Sequence, residues 1–123
     1  MIIGCGVDVV EVARFERALK RAPRLRDRLF AQSEQVSDAG VELSVRSLAA
    51  RFAAKEAVIK TLGHSDGVRW HDIRVLSSAQ GKPELRVSGG AATAAQAAGI
   101  ERMHVSLSHD GGIAMAFVVG ESL

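Results

Sequence analysis

Two carboxylates far apart in the chain, Asp8 and Glu56, stand near bases and away from any cluster of histidines or thiolates. Asp8 interrupts an apolar strand, Ile2 to Val10, and shares its face with Gly4 and Gly6. Glycine inside a strand often marks a place where a ligand or another backbone comes close, and a carboxylate buried there unpaired is costly. The bland alternative is an edge-strand acid that caps the next helix. Glu56 and Lys60 stand in the favourable acid-to-base order one helical turn apart. Elsewhere that is an ordinary surface pair, but this helix offers little polar surface for one. Arg51 and Lys55 add further positive charge along it. Asp8 and Glu56 together suit a hard cation such as Mg²⁺, which is commonly held by one or two carboxylates plus substrate phosphates and waters. Lys60 then faces phosphate oxygens as a point charge. The pattern reads as phosphate chemistry and argues against a zinc site.

Three other groups compete for attention. Ser106-Leu107-Ser108-His109-Asp110 invites a serine-hydrolase reading. Triads are defined by geometry rather than adjacency, and no G-x-S-x-G elbow is present, so that reading is set aside. A histidine at a strand end beside Gly111-Gly112 more often contacts a phosphate or caps a turn. Cys5, between Gly4 and Gly6, is expected to be buried and inert, since no activating neighbour is visible. Arg14, Arg17 and Arg21 line one side of a helix, continued by Arg24 and Arg28. From Arg14 to Arg28 there are seven basic residues and two acids, which suits docking of an acidic protein.

The elements that must position these groups follow from periodicity and breakers. After the first strand, Glu11 to Ala22 reads as a helix with Val12, Phe15, Leu19 and Ala22 inward, stopped by Pro23. Arg24 to Gln35 reads as a short helix, and Ser37 to Gly40 as a turn. Ser44 to Leu62 is a strong helix with Ser44 as N-cap and Gly63 as its stop. On it Leu48, Phe52, Ile59 and Leu62 fall within about 80° of arc. Asp72 to Ser77 and Glu84 to Ser88 form a hairpin around Gly81-Lys82-Pro83. Gly89-Gly90 opens an Ala-rich helix closed by Gly99. Met103 to Ser108 and Ile113 to Val119 pair around Asp110-Gly111-Gly112. The expected architecture is a single α+β domain over residues 1–123, an antiparallel sheet packed on one side by helices.

Composition narrows the function classes. The chain has 123 residues, 47% apolar and 24% charged, which excludes a disordered or low-complexity chain. No apolar run exceeds seven residues, so no membrane partner is expected. The N-terminus carries an early acid and no basic stretch, unlike a secretory leader, and a single cysteine suits a cytoplasmic protein. Four Phe, one Trp and no Tyr are few for stacking on bases, and no nucleic-acid partner is expected. Charge is uneven: residues 1–60 hold 11 bases and 8 acids, residues 61–123 hold 5 and 6, so the positive excess is local.

Four segments in order carry a family resemblance. They are Gly6-Val7-Asp8-Val9 followed by Arg14; Arg51-Phe52-Ala53-Ala54-Lys55-Glu56-Ala57 with Lys60; Gly81-Lys82-Pro83; and Ser106-Leu107-Ser108-His109. Phe30 and Glu34 resemble a further F-x-x-x-E segment. Together they resemble holo-[acyl-carrier-protein] synthase, the small trimeric class of 4′-phosphopantetheinyl transferases, over nearly the whole chain. The resemblance implies that fold, a homotrimer with sites between subunits, and transfer of phosphopantetheine from coenzyme A to a serine of apo acyl carrier protein in fatty acid biosynthesis. It implies Asp8 and Glu56 as Mg²⁺ ligands and Lys60 facing the coenzyme A diphosphate. Arg51, Lys82 and Pro83 would contact the coenzyme, His109 its 3′-phosphate, and Arg14, Arg21 and Arg24 the acidic carrier. Asp110, directly after His109, would repel that phosphate, orient or protonate the imidazole, or share in proton transfer. A Mg²⁺-dependent nuclease and a non-enzymatic module binding acidic proteins are the rival readings.

Overall fold

The computed structural model describes residues 1–123. Its centre is the helix read from Ser44 onward, α3 (Val45–Leu62). Ser44 Oγ accepts the Ser47 amide 3.2 Å away, and Gly63 ends the helix at φ 91°, a left-handed conformation that suits glycine. Eleven of its 18 residues are buried, so it is packed on nearly all sides rather than along one stripe.

A three-stranded antiparallel sheet lies on one side of α3, in the order β1 (Ile2–Glu11), β5 (Ile113–Glu121), β4 (Arg102–Asp110). The Asp110-Gly111-Gly112 turn joins β4 to β5 in register, with Asp110 opposite Ile113. A separate hairpin, β2 (Ile73–Ser77) with β3 (Pro83–Val87), packs across the other part of the core. The sequence reading of one sheet is thus corrected to two, because β3 lies beside β4 without sharing its ladder. Helix α1 (Val12–Arg21) and the single-turn helix α2 (Leu25–Leu29) cover the first half of α3, and α4 (Gly89–Ala98) closes the far end. The expected helix over 24–35 breaks after Leu29 and resumes as a 3₁₀ turn, Gln32–Glu34. No helix is long and apolar enough to cross a membrane.

Strand β1 meets α3 through its glycines. A Cβ on Gly6 would collide with the Ala57 carbonyl oxygen and come within 2.9 Å of Thr61 Oγ1 and 3.0 Å of Lys60 Cβ. A Cβ on Gly4 would lie 2.8 Å from the Thr61 carbonyl oxygen. The glycine face is therefore the inner one, and Ile3, Val7 and Val9 face outward. Cys5 is exposed with them, which corrects the expectation that it is buried.

A buried polar frame ties α3 to the remaining elements. Lys55 and Glu34 are both fully buried, with Lys55 Nζ donating to Glu34 Oε1 at 2.8 Å and to the Trp70 carbonyl at 2.9 Å. The Glu34 carboxylate also accepts the Ala31 and Val75 amides, each at 2.9 Å. Arg51 donates to the Val75 carbonyl and, at 2.7 Å, to Ser77 Oγ. Burial pulls the proton affinity of both bases down, and Glu34 opposes that shift. No buried side-chain polar atom lacks a partner. Lys55→Met, which strands the Glu34 charge, is expected to cost about 3–5 kcal/mol in chemical denaturation; a loss under about 1 kcal/mol would contradict this account of the frame.

Candidate active site

Asp8 faces α3 because alternation along β1 puts it on the same side as Gly4 and Gly6. The close approach at Gly6 then brings it to the last turns of the helix. Lys60 Nζ lies 3.1 Å from Asp8 Oδ1 and 2.9 Å from the Val7 carbonyl oxygen. Asp8 does not cap α1: the N-cap position is Glu11, with no side-chain hydrogen bond. Glu56 is half-buried one turn before Lys60. Its carboxyl is pushed above the usual range by burial first and by the Asp8 charge second, while Lys60 pulls it back. The structure thus gathers Asp8, Glu56 and Lys60 into one electrostatic unit.

No group of three or more His, Cys, Asp or Glu side chains converges anywhere in the chain. Two hard oxygen donors without a nitrogen or sulfur ligand nevertheless fit Mg²⁺, whose remaining positions are commonly filled by waters and phosphate oxygens. Asp8 also lines a groove of about 280 Å³ with Val10, Arg14, Phe15, Ala18 and Phe52, so the acid lies at the edge of an apolar surface beside α1. Phe15 stacks on Phe52 at 5.4 Å between ring centres, and Phe52 meets Trp70 at 5.5 Å, which fixes α1 against α3.

The other expected residues lie elsewhere. His109 and Asp110 line an open groove of about 750 Å³ with Ser44, Arg46 and Glu16. Asp8 pairs with Ala116, which pairs with Leu107, so His109 stands two strands across and two residues along from Asp8. That offset is roughly 12 Å between backbones. Ser108 and His109 point to opposite faces of β4, so no serine triad forms. Lys82 and Pro83 border a third groove of about 310 Å³ with His104 and Glu84. Arg51 and Lys55 are turned inward and buried, so the further positive charge expected of them along this helix does not join Lys60. Arg51 instead braces Ser77, the register partner of Pro83, at the base of the hairpin turn. Arg46, not singled out from the sequence, is the further base at the His109 groove. Its signal was its place in the first turn of α3, two residues after the cap. Arg14, Arg17, Arg21, Arg24 and Arg28 are all exposed, and none forms an ion pair.

Comparison with known proteins places this arrangement. Residues 4–118 match the model of the 4′-phosphopantetheinyl transferase superfamily. Holo-[acyl-carrier-protein] synthase of Salinispora arenicola is 54% identical over 121 residues, covering 98% of this chain and 99% of that protein. The crystal structure of holo-[acyl-carrier-protein] synthase from Neisseria meningitidis superposes with a TM-score of 0.87 at 32% identity, covering 99% of this chain and 100% of that one. The Helicobacter pylori synthase, solved in complex with coenzyme A, gives a TM-score of 0.81 at 29% identity, covering 95% and 99%. The chain belongs to the 4′-phosphopantetheinyl transferase superfamily, within its holo-[acyl-carrier-protein] synthase family.

The raised proton affinity of Glu56 has a stability consequence. Its contribution is fully present below the ordinary carboxylate range and is lost as pH rises through the raised value, because folding then forces a charge into a half-buried place beside Asp8. Glu56→Gln is therefore expected to melt higher than the parent near pH 7 and to lose that advantage near pH 4. Thermal melts at the two pH values check this, and an equal offset at both would refute it.

Proposed function

We propose that this chain transfers the 4′-phosphopantetheine group of coenzyme A to a serine of apo acyl carrier protein, in the service of fatty acid biosynthesis. The observation that carries the reading is the union of Asp8, Glu56 and Lys60 across the β1–α3 contact. It is supported by relatives that bear this enzyme's name over their full length and by a solved relative bound to coenzyme A.

Asp8 and Glu56 are the residues that would hold Mg²⁺. Such an ion supplies neutralisation of the diphosphate charge as the leaving group departs. Lys60 adds positive charge to the same oxygens. The carrier serine Oγ attacks the β-phosphorus, the bond to the bridging oxygen breaks, adenosine 3′,5′-bisphosphate leaves, and the serine proton passes to a base at the site. His109, with Arg46 lining the same groove, receives the 3′-phosphate, and Asp110 orients the imidazole. Lys82 and Pro83 flank the nucleotide end, with Arg51 bracing their turn. Arg14, Arg21 and Arg24 draw in the acidic carrier and orient its serine, and orientation of this kind is worth several kcal/mol of barrier. The carrier and coenzyme A are the partners; nucleic acid and membrane are not. We assign the whole of residues 1–123 to this one transferase domain and its location to the cytoplasm.

A homotrimer completes the site in this reading. The outer face of the three-stranded sheet bears Ile3, Val7, Val9, Ile113, Met115 and Phe117, with Val9 61% and Phe117 44% exposed. Apolar surface in such continuity is a mark of an association face. The His109, Lys82 and Asp8 grooves are separate in one chain, and neighbouring copies would bring one chain's nucleotide groups to another's acid pair.

Incubated with coenzyme A, Mg²⁺ and purified apo carrier, the protein is expected to add one phosphopantetheine to the carrier's intact mass, and EDTA to abolish the gain. Asp8→Ala and Glu56→Ala should each remove the activity with the fold retained. Arg14→Glu combined with Arg21→Glu should chiefly raise the carrier KM, by about tenfold or more given the charge reversal at the docking face. An unmodified carrier, or cleavage of DNA or RNA needing no coenzyme A, would overturn the assignment; an unchanged KM would overturn the docking role.

A further inference from the structure

Lys60 makes a contact that the transfer reaction alone does not require. Its ammonium rests on Asp8 Oδ1 at 3.1 Å and on the Val7 carbonyl at 2.9 Å, both supplied by β1. It is the only base in an ion pair with Asp8. The other two bases in this stretch of α3, Arg51 and Lys55, are buried in the frame and face β2 and Glu34. The Lys60 side chain is 54% exposed, against 19% for Asp8, so the ammonium sits at the open side of the acid. A flexible four-carbon stem lets that charge swing without disturbing the packed helix. Glu56, one turn before Lys60 on the same helix, completes the group.

We propose that Lys60 is an internal counter-cation of the acid pair, transferred from Asp8 to the diphosphate when the divalent ion arrives with its nucleotide. The proposal rests on the two-carboxylate reading above. Two adjacent carboxylates attract a free divalent ion, and a tethered ammonium on one of them lowers that attraction by both charge and occupancy. A diphosphate offers Lys60 more negative charge than a single carboxylate does. It draws the ammonium off Asp8 and frees that acid for the incoming ion. Lys60 thereby couples the two ligands, so that ion and coenzyme enter together and the ion alone binds poorly. In that role Lys60 is a positioning residue before it is an electrostatic one.

The test is direct binding of Mn²⁺, followed by electron paramagnetic resonance and calorimetry, with and without coenzyme A. The parent, Lys60→Met, Lys60→Gln and Asp8→Asn are compared, each first checked for folding by circular dichroism. Loss of one positive charge next to a divalent site is expected to tighten binding of Mn²⁺ alone by about tenfold in Lys60→Met. Lys60→Gln should tighten it in the same direction. In both variants coenzyme A should enhance Mn²⁺ affinity less than it does in the parent. If both bind Mn²⁺ alone no more tightly than the parent does, the counter-cation role is wrong, while the carboxylate site stands provided Asp8→Asn weakens binding. If Asp8→Asn binds Mn²⁺ as the parent does, the carboxylate site itself is wrong, and this proposal falls with it.

Discussion

The arrangement depends on one steric fact: a strand backbone and a helix backbone touch. At Gly6 there is no room for a Cβ, because the Ala57 carbonyl occupies the place it would take. Alternation then turns Asp8, two residues on, toward the same helix. Helical spacing puts Glu56 directly before Ala57 and Lys60 three residues after it. A side chain at position 6 would push β1 away and separate the acid from its partners. The small residues at this contact serve the site's geometry; glycine by itself weakens a strand.

Such a contact is useful only if the helix cannot roll or slide. The Glu34–Lys55 pair and Arg51 provide that restraint from the opposite side of α3, binding it to the 3₁₀ turn and to β2. A buried pair of charges is seldom a gain in stability over a well-packed apolar pair. Its benefit here is directional: hydrogen bonds to named carbonyls and amides fix the angle of the helix about its own axis. Phe15, Phe52 and Trp70 extend the restraint to α1, so the exposed arginines sit at a set distance from Asp8.

Much of this was legible because its signals are local. Ser44 and Gly63 bound α3 through a side-chain cap and a left-handed residue, and both turn motifs join the strands expected of them. The meeting of Asp8 with Glu56 and Lys60 was readable from one interruption in an apolar strand and one charged pair on a small-residue helix. What escaped needed partners distant in sequence. Arg51 and Lys55 look like surface charges until Glu34 and the β2 carbonyls are placed beside them. Cys5 looks buried from its place between Gly4 and Gly6, yet its side chain shares the outer, apolar face of β1. An amphipathic strand does not say which of its faces meets its own chain and which is left for another.

The most direct test of the account is a Gly6→Ala variant, assayed for transfer at a temperature where circular dichroism finds it folded, with Gly4→Ala as the comparison. Gly4 also abuts the α3 backbone, but it lies farther from Asp8 along β1. A displacement of about 1 Å at a reacting centre can cost about a hundredfold in rate. The account predicts a loss of that order for Gly6→Ala and a much smaller one for Gly4→Ala. A folded Gly6→Ala protein that turns over at the parental rate would contradict it.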